Sequence, residues 1–440
     1  MRWMCLSLFL TLLVACSPEP EQAAAAQDAS KLEATAPDAS VAPQDTVLAS
    51  GNWRMVIQLP AAELPVQMEV MPGTGDTPRV YFINGDERVQ VEEVLIDGQQ
   101  VELRMNSFNT WYRGEVTDGV YSGTLYKVKL GATQEMPFTA SHGERHRFFE
   151  TFTRPEIDVS GRWEVRFHGD DADEEDDFTA VGLFEQNGSS LSGTFLTTTS
   201  DYRFLSGAVR GNKLYLSAYD GAHVFYFDAE MQADGTLAGR FLSGTGWNEK
   251  WTAFRNPDAS LPDMDTLTYL KEGYDRFDFS FPNLDGEMVS LDDPRFQDKV
   301  VVVQLAGTWC PNCADETRFL APWYKENRDR GVEVVGLLFE HFEEFEQAAA
   351  QVRTWRERWD VDYPTLVAGV SDKSQASDAL PMLNAVLAYP TTIFIGRDGE
   401  VARIHNGFNG PATGELYQEE IRTFNATVDE LLQDAKEEKD

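Results

Sequence analysis

The sequence predicts a multidomain fold in which antiparallel β-barrel or β-sandwich repeats are followed by an α/β domain. Short alternating apolar runs, separated by Gly, Asn and Asp turns, occupy residues 49–254. Within that region a pattern recurs at an offset of roughly 110 residues, which indicates two copies of one unit. Near residue 299 the pattern changes to a continuous β-branched strand followed by a helix. The 440 residues are enough for two or three domains.

The charge balance excludes one class of partner. Asp and Glu number 73 against 37 for Lys and Arg, so the formal net charge is -36. Phosphate backbones and anionic lipid surfaces repel such a chain, so we expect no nucleic-acid partner. A protein partner would present a basic or neutral face. We also expect no cofactor and no metal site. The acidic run Asp170–Asp177 lacks the spacing of a calcium-binding loop and is better explained as a solvated hairpin loop.

Residues 1–16 have the pattern of a secretory signal. The apolar run Leu6–Val14 is far shorter than the roughly 20 residues that a membrane-spanning helix needs. It ends in Leu13–Cys16, which resembles the lipobox of bacterial lipoproteins. The resemblance implies that Cys16 is lipidated and becomes the first mature residue, on the periplasmic side of the cell envelope. Ser17 after it favours the outer over the inner membrane, and a plain secretion signal is the alternative.

Residues 17–47 are expected to be a disordered tether. They are rich in Ala, Pro, Glu and Gln, and they contain no aromatic residue. Such a composition cannot bury enough apolar surface to offset the loss of chain entropy. Because Cys5 lies in the signal and Cys16 at the anchor, the rest of the chain contains only two cysteines.

Two β-repeats are predicted at residues 48–154 and 155–256. The segment Gly51–Arg54 (GNWR) returns as Gly161–Glu164 (GRWE), and the order of later matches is kept. Asn-Gly and Asp-Gly turns between the alternating runs are typical of hairpins. The tryptophans are expected to pack in the cores. The pattern leaves open whether the copies form one barrel or two.

A redox-active pair of cysteines is predicted in the last domain, residues 271–440, after a linker at 257–270. A buried strand at Lys299–Ala306 leads directly into Cys310-Pro311-Asn312-Cys313 and a helical pattern. At the start of a helix, unpaired N–H groups and the helix dipole can lower a thiol pKa to roughly 3.5–7.5. Cys310 is therefore the expected nucleophile. Cys313, one turn further on, is the expected resolving cysteine.

These motifs resemble the TlpA-like branch of the thioredoxin family. The W-C-x-x-C after a Val-rich strand is followed by Val332–Leu338 and then by Ala388–Ile395, in the order of that family. The resemblance implies a thioredoxin fold in which Pro390 follows a cis peptide bond and faces the disulfide. It also implies that Trp309 and Tyr389 bind the substrate, with the Tyr389 backbone pairing with an incoming peptide or thiol.

One acidic residue is expected to move a proton. Thioredoxins carry an Asp six residues before the first cysteine, but that position here is Gln304, which cannot titrate. TlpA-like proteins often carry a Glu six residues after it, and this resemblance implies Glu316 as the proton acceptor for Cys313. The alternative is a carboxylate on the helix surface.

The sequence therefore predicts an enzyme: an extracytoplasmic thiol–disulfide oxidoreductase, acting as a reductase. Its partners would be a protein or small-molecule disulfide, a thiol electron donor and the membrane that holds the anchor. One alternative is a lipid-anchored binding protein in which the β-repeats do the main work. A thiol peroxidase is another, but peroxiredoxins have Pro and Thr where this chain has Val303 and Gly307.

Overall fold

The structure is a computed structural model that describes residues 47–75, 77–151, 153–169 and 177–437. The predicted signal peptide, the lipidation site Cys16, most of the tether and most of the acidic run lie outside these residues. The predicted fold class is confirmed, with two β-sheets followed by a thioredoxin-type α/β domain. No helix in the described part of the chain is both long enough and apolar enough to cross a membrane.

The first β-domain is one nine-stranded antiparallel sheet. Its strands are β1 (Gly51–Gln58), β2 (Glu63–Thr74), β3 (Thr77–Asn84), β4 (Glu87–Gln90), β5 (Glu93–Asp97), β6 (Gln100–Met105), β7 (Thr110–Thr117), β8 (Val120–Lys129) and β9 (Ala132–His142). The sheet order is β4-β3-β2-β1-β9-β8-β7-β6-β5, so the first and last strands pair and β4 and β5 form the edges. The result is a half-open barrel.

The second β-domain is a closed barrel. Its strands are β10 (Gly161–His168), β11 (Phe178–Asn187), β12 (Ser190–Thr197), β13 (Ser200–Asp201), β14 (Leu205–Arg210), β15 (Lys213–Tyr219), β16 (Val224–Met231), β17 (Leu237–Ser243) and β18 (Trp247–Arg255). As in the first β-domain, the first strand pairs with the last, and here the pairing of β11 with β12 closes the ring. The two repeats thus form separate sheets.

The tryptophans of the repeated motif occupy equivalent positions in the two β-domains. Trp53 in β1 donates its indole N–H to the carbonyl of Ala49 at 2.9 Å. Trp163 in β10 donates to the carbonyl of Val159, also four residues earlier, at 2.8 Å. Both rings are buried. In each domain the indole N–H is hydrogen-bonded to the backbone just before the first strand. The rest of the ring is apolar and can therefore pack in the core.

The C-terminal domain is built on a five-stranded sheet of order β23-β22-β21-β24-β25. Its elements are β19 (Ser280–Pro282), β20 (Met288–Ser290), β21 (Val300–Ala306), α1 (Pro311–Asn327), β22 (Val332–Glu340), α2 (Phe345–Trp359), β23 (Thr365–Val370), α3 (Lys373–Ala379), β24 (Thr391–Ile395), β25 (Val401–Asn406) and α4 (Glu415–Glu437). The central strand β21 is parallel to β22 and antiparallel to β24. Every residue of β21 is buried, as its apolar pattern predicts.

One buried arginine joins the three domains. Arg203, just after β13, pairs with Asp220 of its own barrel at 3.0 Å. It also pairs with Glu87 in β4 of the first β-domain and with Asp315 in α1. The Arg203 side chain is only 4% exposed and its backbone is left-handed, with φ of 57°. The positions of all three domains are therefore linked through a single guanidinium group.

Further hydrogen bonds stabilise the interface between the two β-domains. Asn84, at the end of β3, donates to the carbonyl of Tyr219 at 2.9 Å and accepts from its N–H at 3.2 Å. Arg147 donates to the Ser217 hydroxyl at 2.8 Å and to the Ile83 carbonyl at 2.9 Å. These groups are buried and have no access to water, so each hydrogen bond gives a partner to a polar atom that would otherwise lack one.

We predict that Arg203→Met strongly destabilises the protein. Removing the cation leaves three buried carboxylates without their common partner, a change that typically costs about 3–5 kcal/mol. The thermal midpoint should fall well below that of an Arg154→Met control, which removes an exposed arginine and should change stability by about 0.5 kcal/mol at most. Differential scanning calorimetry measures both. Equal midpoints for the two variants would contradict the structural role given to Arg203.

Candidate active site

The two predicted redox cysteines form a disulfide where β21 leads into α1. Their Cα atoms are 5.2 Å apart. Cys310 is the residue that caps α1, and its sulfur accepts a hydrogen bond from the Cys313 N–H at 3.1 Å. Pro311 occupies the first turn, where its missing N–H is not needed. Cys310 is 5% exposed and Cys313 is fully buried, so only the first sulfur faces the outside.

The structure brings Trp309, Tyr389 and Pro390 to the same sulfur. The carbonyl oxygen of Tyr389 lies 3.4 Å from Cys310 Sγ, and the Tyr389–Pro390 peptide bond is cis. The rings of Trp309 and Tyr389 meet edge to face, with centroids 5.6 Å apart. The orientation of the Trp309 ring is fixed by a hydrogen bond, which its indole N–H donates to the Phe339 carbonyl at 2.8 Å. The residues expected to bind the substrate therefore surround the exposed face of the disulfide.

Glu316 lies in α1 three residues after Cys313, and its side chain is buried rather than on the helix surface. One carboxylate oxygen accepts from the Gln304 side-chain amide at 2.6 Å, and the other accepts from the Thr392 hydroxyl. Gln304 is itself oriented by the Tyr363 hydroxyl, which donates to its carbonyl oxygen at 3.1 Å. Burial raises the pKa of Glu316 to about 7. An acid of that pKa can exchange protons near neutral pH.

A second buried acid, which the sequence reasoning missed, holds the loop before the cysteines. Glu340 ends β22, accepts from the Thr308 N–H at 2.9 Å and accepts from the Thr308 hydroxyl at 2.6 Å. It is fully buried, and burial raises its pKa to about 7. The available signal was an acidic residue at the end of an otherwise apolar buried strand.

His341, also unpredicted as part of the site, forms a wall beside Trp309. The two rings are stacked, with centroids 4.6 Å apart and planes at 19°. The Nδ1 of His341 is 2.6 Å from the Ser371 hydroxyl oxygen. Burial, together with nearby Lys127 and Lys129, lowers the pKa of His341 to about 3. The ring is therefore neutral at pH 7 and acts as an aromatic surface.

A loop of the second β-domain contacts the dipeptide between the two cysteines. The Asn312 side chain donates to the carbonyl of Asp201 at 2.9 Å. Arg203 donates to the carbonyl of Pro311 at 2.8 Å. The partners are more than 100 residues apart in the chain, so no local sequence signal could reveal these contacts. The barrel thus restrains the conformation of the disulfide loop.

A cleft of about 500 Å³ opens beside Cys310. All three domains line it, so its walls exist only in the assembled chain. Among the described residues, no group of three or more His, Cys, Asp or Glu side chains could hold a metal ion. The chemistry available at this cleft is thiol–disulfide exchange at Cys310. The lining residues are Lys129, Leu130, Thr199, Ser200, Asp201, Tyr202, His223, Phe225, Trp309, Cys310, Asn312, His341, Ser371, Asp372, Lys373 and Tyr389.

Comparison with known proteins identifies relatives of the C-terminal domain. Residues 273–404 match the model of the AhpC/TSA family. The thiol-disulfide oxidoreductase ResA of Halalkalibacterium halodurans is 26% identical over 142 residues, which are 31% of this chain and 69% of that protein. ResA of Bacillus subtilis is 25% identical over 138 residues, again 31% and 69%. Among solved structures, a thioredoxin family thiol:disulfide interchange protein from Chlorobium tepidum TLS is 21% identical, with a TM-score of 0.27, and covers 36% of this chain and 94% of its own.

These relatives cover the part of the chain that contains the disulfide. The family match begins before β19 and ends in β25, so it includes both cysteines and the cis-proline. The relatives named as thiol-disulfide oxidoreductases match a similar length of chain. The predicted resemblance and the predicted enzyme class are both confirmed. The C-terminal domain therefore has a thioredoxin-type fold that matches the AhpC/TSA family model and is similar to proteins named thiol-disulfide oxidoreductase, which supports an oxidoreductase.

Proposed function

We propose that the protein is a lipid-anchored thiol–disulfide reductase that acts outside the cytoplasm. The observation that supports this most directly is the Cys310–Cys313 disulfide at the start of α1, with the buried Glu316 on the same helix. Its substrate would be a protein or small-molecule disulfide, and a thiol donor would supply the electrons. The proposed layout is a signal at 1–16, a tether at 17–47, β-repeats at 48–154 and 155–256, a linker at 257–270 and the catalytic domain at 271–440.

In the first step the thiolate of Cys310 attacks one sulfur of the substrate disulfide. The position of Cys310 at the helix start supports this role, because the Cys313 N–H points at its sulfur and the helix dipole favours negative charge. A mixed disulfide forms between Cys310 and half of the substrate. The other half leaves as a thiolate and takes a proton from solvent.

In the second step Cys313 resolves the mixed disulfide. Its thiol must first lose a proton, and Glu316 is one helical turn away with a pKa near neutrality because of its burial. The Cys313 thiolate then attacks Cys310 Sγ, which forms the internal disulfide and releases the second thiol of the substrate. Two electrons from the thiol donor return the pair to the reduced state.

Trp309, Tyr389 and Pro390 are proposed to hold the substrate during both steps. The Tyr389 carbonyl lies beside Cys310 Sγ at 3.4 Å, where it can accept a hydrogen bond from a substrate N–H. The Trp309 ring forms one side of the cleft and is fixed by its contacts with Phe339 and His341. A substrate sulfur can therefore be positioned between an aromatic surface and a backbone acceptor.

The β-domains are proposed to be part of the catalytic unit rather than an independent binding protein. Their contacts with Pro311 and Asn312 support this, because they reach the disulfide loop itself. A peroxidase is not favoured, since Val303 and Gly307 stand where peroxiredoxins have Pro and Thr. The lipobox-like Leu13–Cys16 supports an anchor at Cys16 that keeps the enzyme at the membrane, with the outer membrane preferred because Ser17 follows.

Glu316→Gln should slow turnover and alter how stability depends on pH. Loss of a general base typically costs about 100-fold in rate. Because the folded pKa of Glu316 lies above its ordinary value of 4.5, the carboxyl favours folding below pH 4.5, and this contribution is lost as pH rises to about 7. Gln does not ionise, so the variant should be more stable than wild type at pH 8, by as much as about 3 kcal/mol, and equally stable at pH 4.

Disulfide-reduction assays and urea unfolding at the two pH values measure these effects. Glu326→Gln, an exposed carboxylate on the same helix, is the matched control and should alter neither. A Glu316→Gln rate within twofold of wild type would rule out the proton-acceptor role.

Cys313→Ser should capture the substrate as a mixed disulfide through Cys310, while Cys310→Ser should not. Without the resolving thiol, exchange stops after the first step. The expected difference follows from burial, because Cys313 is fully buried and Cys310 faces the cleft. Non-reducing electrophoresis followed by mass spectrometry detects the adducts. Equal trapping by the two variants would contradict the assigned roles.

Cys16→Ala should abolish membrane attachment or block processing of the chain. Stable anchoring requires more than one lipid chain, so the mature form should carry several acyl groups at Cys16. Fractionation of cells that express each form, with mass spectrometry of the mature N-terminus, measures both properties. A Cys5→Ala variant is the control and should remain in the membrane fraction. Unchanged membrane fractionation of Cys16→Ala would argue against the anchor.

A further inference from the structure

The cleft beside Cys310 limits the size of what can reach the disulfide. Its volume of about 500 Å³ lies within the range of roughly 300–1,000 Å³ that is typical of small-ligand pockets. One wall comes from Lys129 and Leu130 at the end of β8, another from residues 199–202, His223 and Phe225 of the barrel, and the rest from the C-terminal domain. A folded protein surface is poorly matched to such a site. A small molecule or a short peptide fits it.

Two lysines line this cleft and lack an acidic partner. Lys129 ends β8 and Lys373 begins α3, so they approach the cleft from different domains. In the described part of the chain no ion pair includes either of them, whereas Lys213, Lys299 and Lys325 each pair with a carboxylate. Lys373 Nζ donates to the Leu387 carbonyl at 2.5 Å, which leaves its two other N–H donors for a ligand. Lysines without a carboxylate partner are notable in a chain with 73 acidic and 37 basic residues.

The two lysines also act on each other and on the cleft wall. Burial and the charge of Lys129 both lower the pKa of Lys373, which places the two ammonium groups within electrostatic range. Lys129 and Lys127 also disfavour a charge on His341, in addition to the effect of burial. Two cationic side chains from different domains therefore line the cleft beside a neutral aromatic wall.

The two carboxylates that line the cleft are engaged elsewhere. Asp372 accepts from the N–H groups of Ser374 and Gln375 at the start of α3, at 3.1 and 3.0 Å. Asp201 accepts from the N–H groups of Arg203 and Gly410, at 2.6 and 2.8 Å. These contacts orient both carboxylates toward backbone N–H groups, and in the described part of the chain neither forms an ion pair with Lys129 or Lys373, so both ammonium groups can bind an anion.

We propose that the cleft takes a small disulfide that bears carboxylate groups, such as an acidic cysteine-containing peptide. Lys129 and Lys373 bind the carboxylates, while Trp309 and Tyr389 flank the sulfur that Cys310 attacks. The proposal rests on the proposed reductase function and names its substrate class. It differs from the partner that the net charge of -36 predicts, because a local field inside a cleft can oppose the overall charge.

The proposed reaction is balanced by an external dithiol. The Cys310–Cys313 dithiol and one substrate disulfide give the internal disulfide and two acidic thiols, with two electrons and two protons transferred to the substrate. A dithiol donor then reduces the internal disulfide and is itself oxidised. In the assay, dithiothreitol serves as that donor, and its direct reaction with each peptide is subtracted.

The test compares two peptide disulfides that differ only in charge: the dimers of Cys-Glu-Glu and of Cys-Gln-Gln. For the full-length protein, kcat/KM for the acidic dimer should exceed that for the neutral dimer by about tenfold at low ionic strength. In Lys129→Gln/Lys373→Gln this ratio should fall close to one, and each single variant should lie between. Lys250→Gln, an exposed lysine in β18 outside the cleft, should keep the wild-type ratio.

The possible results distinguish the acidic substrate class from the reductase function on which it rests. Equal rates for the two dimers in wild type, with no effect of the lysine variants, would overturn the acidic substrate and leave the reductase function intact. Slow reduction of both dimers with rapid reduction of the insulin disulfides would overturn it in favour of a macromolecular substrate. No reduction of peptides or insulin would overturn the reductase function itself. Reduction of the neutral dimer at the wild-type rate shows that a variant is folded. If the double variant does not fold, the rate ratios of the two single variants test the proposal.

Discussion

The buried guanidinium of Arg203 is the interaction on which the assembled molecule depends. It pairs with Glu87, Asp220 and Asp315, which belong to three different domains, and it donates to the Pro311 carbonyl between the two cysteines. An isolated buried charge is very costly, so the guanidinium is stable only when its partners are in place. Docking of the β-domains and shaping of the disulfide loop are therefore coupled events.

Charged side chains surround the disulfide both inside the domain and at the cleft. Glu340 fixes the loop before Cys310 through two hydrogen bonds from Thr308, and Glu316 lies behind Cys313 with a pKa that burial raises to about 7. The opposite side, facing the cleft, carries the lysines. Two buried acids thus lie inside the domain near the cysteines, whereas Lys129 and Lys373 line the cleft together with Asp201 and Asp372.

Local patterns predicted much of this structure, and long-range contacts account for what they missed. The strand before Cys310, the C-x-x-C spacing and the residues around Pro390 are short motifs, so the C-terminal fold and its disulfide could be predicted. The recurrence of Trp53 as Trp163 indicated two repeats but not whether they share one sheet. Arg203 could not be found, because nothing near it in the chain indicates that Asp315, 112 residues away, is its partner.

We infer that the β-domains restrict Cys310 to a cleft that a small molecule enters more readily than a folded protein. The most direct test is the alkylation rate of the reduced full-length protein with a small maleimide and with the same maleimide attached to a bulky polymer. We expect rapid modification of Cys310 by the small reagent and strong protection from the large one, with protection lost in Arg203→Met. Equal rates for the two reagents in the wild-type protein would contradict it.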